Sequence, residues 1–150
     1  VYNAFLGEYG EYKTFFHGHS YTGNALACAA ACACLDVFAE EGTLEAIQPK
    51  ISYLEKMLAQ EIEPLPHVGE VRQLGLMVGI ELVEDRASRT AYPMDSRMGA
   101  KVCADVRNRG VILRPLGDVV ILMPPLAISK DEIDLLVSAA ARSISEVCGA

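Results

Sequence analysis

Phe15-Phe16-His17-Gly18-His19-Ser20-Tyr21-Thr22-Gly23-Asn24-Ala25-Leu26-Ala27-Cys28-Ala29-Ala30-Ala31 runs from a glycine- and hydroxyl-rich turn straight into an alanine-rich helix. Three features meet there: glycines that let a ligand approach the backbone, hydroxyls at Ser20 and Thr22, and a helix N-terminus. Such a terminus offers unpaired N–H groups and a partial positive charge, which suits a phosphate or a carboxylate. The same residues also serve plain capping, with Asn24 at the position before the helix.

Outward from this stretch, the helix is expected to run from Ala25 to about Glu41 and to end at Gly42. Thr43 is expected to cap a second helix, whose stripe is Leu44, Ile47, Ile51, Leu54, Leu58 and Ile62, stopped by Pro64 and Pro66. Val68 to Val83 alternates and carries Gly75, which predicts two short strands or one bent strand, with Gly75 as the hinge. After a polar loop from Glu84 to Pro93, a third helix is expected from Ser96 to Asn108, closed by Gly110. Val111-Ile112-Leu113 predicts a strand, Arg114 to Asp118 a turn, and Val119 to Leu122 a second strand. Met123-Pro124-Pro125-Leu126 breaks the sheet. Ser129 with Glu132 forms a capping box, and Ile133, Leu136, Val137, Ala140 and Ile144 form the buried stripe of the last helix. Upstream, residues 1–14 allow a helical turn at Ala4 to Leu6 and a loop through Gly7 and Gly10. From about residue 25 onward the result is one α+β unit, with helices covering a small, largely antiparallel sheet.

With 150 residues, the chain is long enough to bury a core without disulfides or a metal. Its net charge of −7, from 13 basic and 20 acidic residues, argues against a nucleic-acid partner. No run of apolar residues is long enough for a bilayer, so a membrane is not an expected partner either. The five cysteines, Cys28, Cys32, Cys34, Cys103 and Cys148, suit reduced thiols of a cytoplasmic protein, and those in the alanine-rich helix are expected to be small buried residues. His17 and His19 lack further ligands at metal-binding spacing; hydrogen bonding within the turn is the expectation, and no metal is assigned. Arg114, held between a strand and Pro115, is placed for bidentate recognition of a carboxylate, while the plainer reading is a surface arginine in a hairpin.

Together, His17 to Ala29, Gly110 to Gly117 and Met123 to Leu126 resemble class III pyridoxal-phosphate-dependent aminotransferases. Within that class the motifs look most like the biotin-pathway subfamily, which moves an amino group from S-adenosylmethionine to 8-amino-7-oxononanoate to give 7,8-diaminononanoate. The resemblance implies fold type I (α/β overall, α+β in this stretch), with residues 1–24 ending a large domain and 25–150 forming a connecting helix and a C-terminal small domain. It implies a homodimer whose sites are shared: Gly18, His19 and Ser20 would serve the pyridoxal 5'-phosphate of the other subunit. Arg114 would clamp the substrate carboxylate, with Tyr21 beside the site and Leu116 near the substrate's alkyl chain. Where the family commonly has proline at the first helical position, this chain has Ala25.

No catalytic residue is assigned on this chain. The resemblance implies that the family's Schiff-base lysine lies upstream of Val1; Lys13, Lys50, Lys56, Lys101 and Lys130 read as solvated surface lysines. Alone, the chain is therefore expected not to transaminate. Two other readings stay open on the residues: an ω-amino-acid or diamine aminotransferase, and a non-catalytic α+β ligand-binding module.

Overall fold

The computed structural model describes residues 1–149. The chain divides into two compact units, Val1–Glu40 and a second one beginning at Glu41.

The first unit holds 3-10 turns at Tyr2–Phe5 and Tyr9–Glu11, then helix α1, Ala25–Glu40. The expected helical turn at Ala4 to Leu6 thus lies slightly earlier. Phe5 stacks near Phe15 at 5.4 Å between ring centroids, and Phe15 near His17 at 5.5 Å. None of residues 1–40 is buried, Leu26 and Leu35 of α1 being 84% and 69% exposed. That overturns the expectation that Cys28, Cys32 and Cys34 are buried: all three are exposed free thiols on a helix whose own unit has no buried residue.

The second unit carries the core. Helix α2, Thr43–Ala46, leads into α3, Gln48–Met57, which continues as one π turn over Leu58–Ile62. Thr43 does not cap. Gly42, at φ 56°, takes the cap position, so one residue ends the first helix and starts the next, and Thr43 becomes the first helical residue. The stripe is real from Leu54 onward: Leu54, Leu58 and Ile62 are buried, whereas Leu44 is exposed.

Strands β1 (Val68–Leu74) and β2 (Met77–Leu82) form a hairpin in which Leu74 faces Met77 across Gly75-Leu76. Helix α4 is shorter than expected, Met98–Arg107, with a 3-10 turn at Met94–Ser96 before it. Strands β3 (Arg114–Leu116) and β4 (Val119–Leu122) complete an entirely antiparallel sheet of order β1-β2-β4-β3. Here the expectation fails by one strand-length, since Val111 to Leu113 is not a strand and Arg114 is not in a turn. The register is set by Gly117-Asp118, with Gly117 at φ 59°; Leu116 must then face Val119, and Arg114 faces Ile121. Pro115, which has no N–H to donate, is tolerated because β3 is an edge strand.

One face of the sheet, with Val78, Ile80, Leu82, Val120 and Leu122, packs against α3, α4 and the last helix, α5 (Lys130–Cys148). The expected stripe of α5 is fully realised, Ile133, Leu136, Val137, Ala140 and Ile144 all being buried. On the opposite face Arg72 bridges Glu70 and Glu81, which would otherwise repel across the β1–β2 pair.

The capping box of α5 forms as expected. Ser129 N–H and Oγ donate to Glu132 Oε2 at 2.7 and 2.8 Å, and Glu132 N–H donates to Ser129 Oγ at 3.3 Å. The Ser129 backbone N–H first, and its hydroxyl second, hold the Glu132 carboxyl below its usual range. Because the folded value lies below the unfolded one, this contribution is complete above the ordinary carboxylate range and is lost as pH falls through the lowered value. Ser129→Ala should cost about 1 kcal/mol and flatten this acid response. Amide exchange in the first turn of α5, followed against pH, measures both; identical acid profiles for the two proteins would refute the linkage.

Candidate functional site

The sequence-derived site residues divide between the two units: Gly18, His19, Ser20 and Tyr21 lie in the first, Arg114 and Leu116 in the second.

In the first unit the turn is built by its own polar atoms. Thr22 Oγ1 accepts the His19 N–H at 3.0 Å, the His19 carbonyl accepts the Thr22 N–H at 3.0 Å, and His19 Nδ1 accepts the Tyr21 N–H at 3.1 Å. The histidine thus fixes the turn through the ring nitrogen facing inward. Asn24 caps α1, its Oδ1 accepting the Ala27 N–H at 2.9 Å. Among the described residues, neither the Ser20 hydroxyl nor the N–H groups of Gly18 and Ser20 have a hydrogen-bond partner. A Cβ on Gly18 would meet only Thr22 Oγ1, at 3.8 Å. No other atom of the described residues comes within 4 Å of that space, so the turn presents two free N–H donors and a hydroxyl to whatever approaches. That donor set fits a phosphate dianion.

In the second unit Arg114 and Leu116 line one cleft of ≈ 750 Å³, set between the segment leading into β3 and the start of α5. Its walls are mostly apolar, with Ile112, Met123 and Leu135 exposed along it. Arg114 is the one cationic residue among those lining it, and Glu132, the one carboxylate, is already engaged by Ser129. Arg72, Arg86 and Arg109 have carboxylate or carbonyl partners within the chain. The Arg114 guanidinium has none among the described residues, which leaves its fork of donors available to a ligand carboxylate. An apolar wall with a cation at one point suits a molecule with an alkyl chain and a terminal acid.

Sequence reasoning missed the contact that anchors this hairpin. The Gly99 N–H, in the first turn of α4, donates to Asp118 Oδ1 at 2.8 Å across 19 residues. Asp118 and Gly117 were legible as a turn, but no local signal links a turn residue to a helix so far upstream. The lysine reading also needs one correction. Lys50 is half-buried and donates to the Leu126 carbonyl at 3.0 Å, tying α3 to the loop before α5. Lys13 pairs with Glu11, and Lys130 lies over the Tyr53 ring. No helix of the described residues is long and apolar enough to cross a membrane.

Comparison with known proteins gives a consistent result. The adenosylmethionine-8-amino-7-oxononanoate aminotransferase of Nitratidesulfovibrio vulgaris is 56% identical over 91% of this chain and 25% of its own length. That of Aquifex aeolicus is 54% identical over 98% of the chain and 32% of its own length. The crystal structure of the Methanocaldococcus jannaschii adenosylmethionine-8-amino-7-oxononanoate aminotransferase superposes with a TM-score of 0.86 at 47% identity, covering 97% of this chain and 33% of that one. An (S)-enantioselective omega-transaminase from Thermomicrobium roseum gives 0.81 at 39% identity, over 89% of this chain and 30% of that one. The chain therefore spans between a quarter and a third of the length of the relatives it matches. As the class-III aminotransferase model matches residues 1–144, the chain belongs to the class-III aminotransferase family.

Proposed function

We propose that the chain is the C-terminal part of a pyridoxal-phosphate-dependent aminotransferase that moves an amino group from S-adenosylmethionine to 8-amino-7-oxononanoate. In this reading residues 1–24 end the large domain and 25–150 supply the connecting helix and the small domain. The observation that carries it is Arg114 standing, without a partner among the described residues, on the mostly apolar cleft that Leu116 also lines. An oxononanoate has the matching form, an alkyl chain ended by a carboxylate.

Pyridoxal phosphate, when bound, supplies the aldehyde that takes up the amino group and the electron sink for the proton shifts that follow. Gly18 and Ser20 would hold the phosphate of the partner subunit's cofactor through their N–H groups and the Ser20 hydroxyl, His19 would keep that turn in shape, and Tyr21 would lie beside it. Arg114 orients the acid end of the substrate so that its far end meets the reacting atoms, and Leu116 packs on the alkyl chain. The lysine that bonds to the cofactor belongs to the part of the protein outside this chain. In this reading the protein is a homodimer in which the Gly18–Ser20 turn completes the partner's site.

Full-length protein assayed with 8-amino-7-oxononanoate as acceptor tests the reading. S-adenosylmethionine should support turnover, and β-alanine or ornithine should not; the reverse would assign an ω-amino-acid or diamine transaminase instead. Ser20→Ala should weaken retention of the cofactor by roughly ten- to 150-fold, the loss of one hydrogen bond to a charged group, about 1.5–3 kcal/mol. Dialysis followed by absorbance of the bound cofactor measures it. Unaltered retention would remove Ser20 from the phosphate site.

A further inference from the structure

We propose that Asp118 and Gly99 are positioning residues for Arg114: through them the first turn of α4 fixes the β3–β4 hairpin and with it the base of the carboxylate clamp. The inference rests on the proposed role of Arg114 and adds what holds that arginine in place.

Arg114 stands on a weak support. Strand β3 has three residues, one neighbour, and a proline that cannot donate to the ladder. By itself such an edge strand frays. Three contacts from outside the hairpin offset this. The Asp118 carbonyl accepts the Leu82 N–H at 3.0 Å, which ties the turn to the end of β2. Asp118 Oδ1 accepts the Gly99 N–H at 2.8 Å, which ties it to α4. Gly99 also lies against the turn so closely that a Cβ there would be 2.3 Å from the Gly117 carbonyl oxygen and 3.2 Å from Pro115 Cβ. Pro115 is bonded directly to Arg114, so the press of α4 reaches the residue next to the guanidinium's own backbone.

The pairing suits both partners. Arg97 precedes α4 at φ 50° and provides no side-chain cap, so the first-turn N–H of Gly99 lacks a local acceptor. A carboxylate at a helix N-terminus is favoured by the helix dipole. Asp118 supplies it from the hairpin, so stabilising the helix and holding the hairpin are one contact.

A purely structural Asp118 would stabilise α4 and leave substrate preference untouched. Steady-state kinetics on the full-length holoenzyme, with 8-amino-7-oxononanoate and with its methyl ester, separate the two roles. With the acid, Asp118→Ala should raise KM on the order of tenfold while kcat moves much less, because small misplacement of a clamp costs up to roughly 10²-fold. The penalty should disappear with the ester, which gives Arg114 no carboxylate to hold. Asp118→Asn, which keeps an acceptor oxygen, should restore most of the affinity, and Arg114→Ala with Asp118→Ala should be no worse than Arg114→Ala alone. Equal losses with acid and ester, or additive losses in the double variant, would overturn the positioning role while leaving the clamp intact. If Arg114→Ala alone leaves KM for the acid unchanged, the clamp reading fails, and the positioning role falls with it. If the alanine variant does not accumulate as folded protein, Asp118→Glu, which shifts the acceptor by one methylene, is judged by the same criteria.

Discussion

Arg114→Ala in the full-length protein is expected to lower kcat/KM for 8-amino-7-oxononanoate by roughly ten- to 150-fold, the equivalent of about 1.5–3 kcal/mol for a charge-assisted contact. The loss should fall mainly on KM. Arg114 has no ion-pair partner within the described residues, so removing it leaves no orphaned carboxylate to destabilise the fold. Its exposure on the edge strand β3 makes the same point, since little packing is lost with the side chain. The kinetic effect can therefore be read as a binding effect. Arg114→Lys keeps the charge and loses the planar fork, so it should fall between alanine and wild type. A KM for the acid that is the same in all three proteins would show that the arginine does not meet the carboxylate.

Much of the scaffold around this arginine is legible in the sequence because its signals are local. The capping box Ser129–Glu132 and the stripe from Ile133 to Ile144 both lie within one helix, and both form. Gly75 marks the first hairpin because a two-residue loop between paired strands favours glycine's backbone freedom. The second hairpin is misread for a physical reason. Val111-Ile112-Leu113 has the β-branched character of a strand, and Pro115 argues against one, yet the register follows from the Gly117-Asp118 turn and an edge position excuses the proline. Thr43 fails as a cap because Gly42 joins two helices with no residue to spare. The candidate site is legible only in part. Arg114, Leu116 and the Gly18–Ser20 turn stand out by their residue types and surroundings, whereas the Gly99–Asp118 contact joins two segments whose separate patterns say nothing of each other. Likewise Lys50 reads as a surface lysine until Leu126 is folded back beside it.

Gly99→Ala should destabilise the protein by about 2 kcal/mol or more, against the helix-propensity trend. In an exposed helix interior the same exchange would stabilise by up to ~1 kcal/mol. Here two costs oppose that gain. The new methyl group would stand 2.3 Å from the Gly117 carbonyl oxygen and 3.0 Å from Asp118 Cα, both backbone atoms that cannot turn aside as a flexible side chain would. Relief then requires α4 and the β3–β4 turn to separate, and overpacking of this kind typically costs about 1–3 kcal/mol. Separation also lengthens the 2.8 Å bond from Gly99 N–H to Asp118 Oδ1, which adds on the order of 1–2 kcal/mol for a hydrogen bond to a charged group. The two costs together exceed the propensity gain, so the sign is negative. Thermal unfolding of the full-length variant measures the loss, and amide exchange should assign it to the first turn of α4 and to β3 rather than to α3. A melting temperature equal to or above that of wild type would mean that the helix and the hairpin separate at no cost, and that their close approach contributes nothing to the fold.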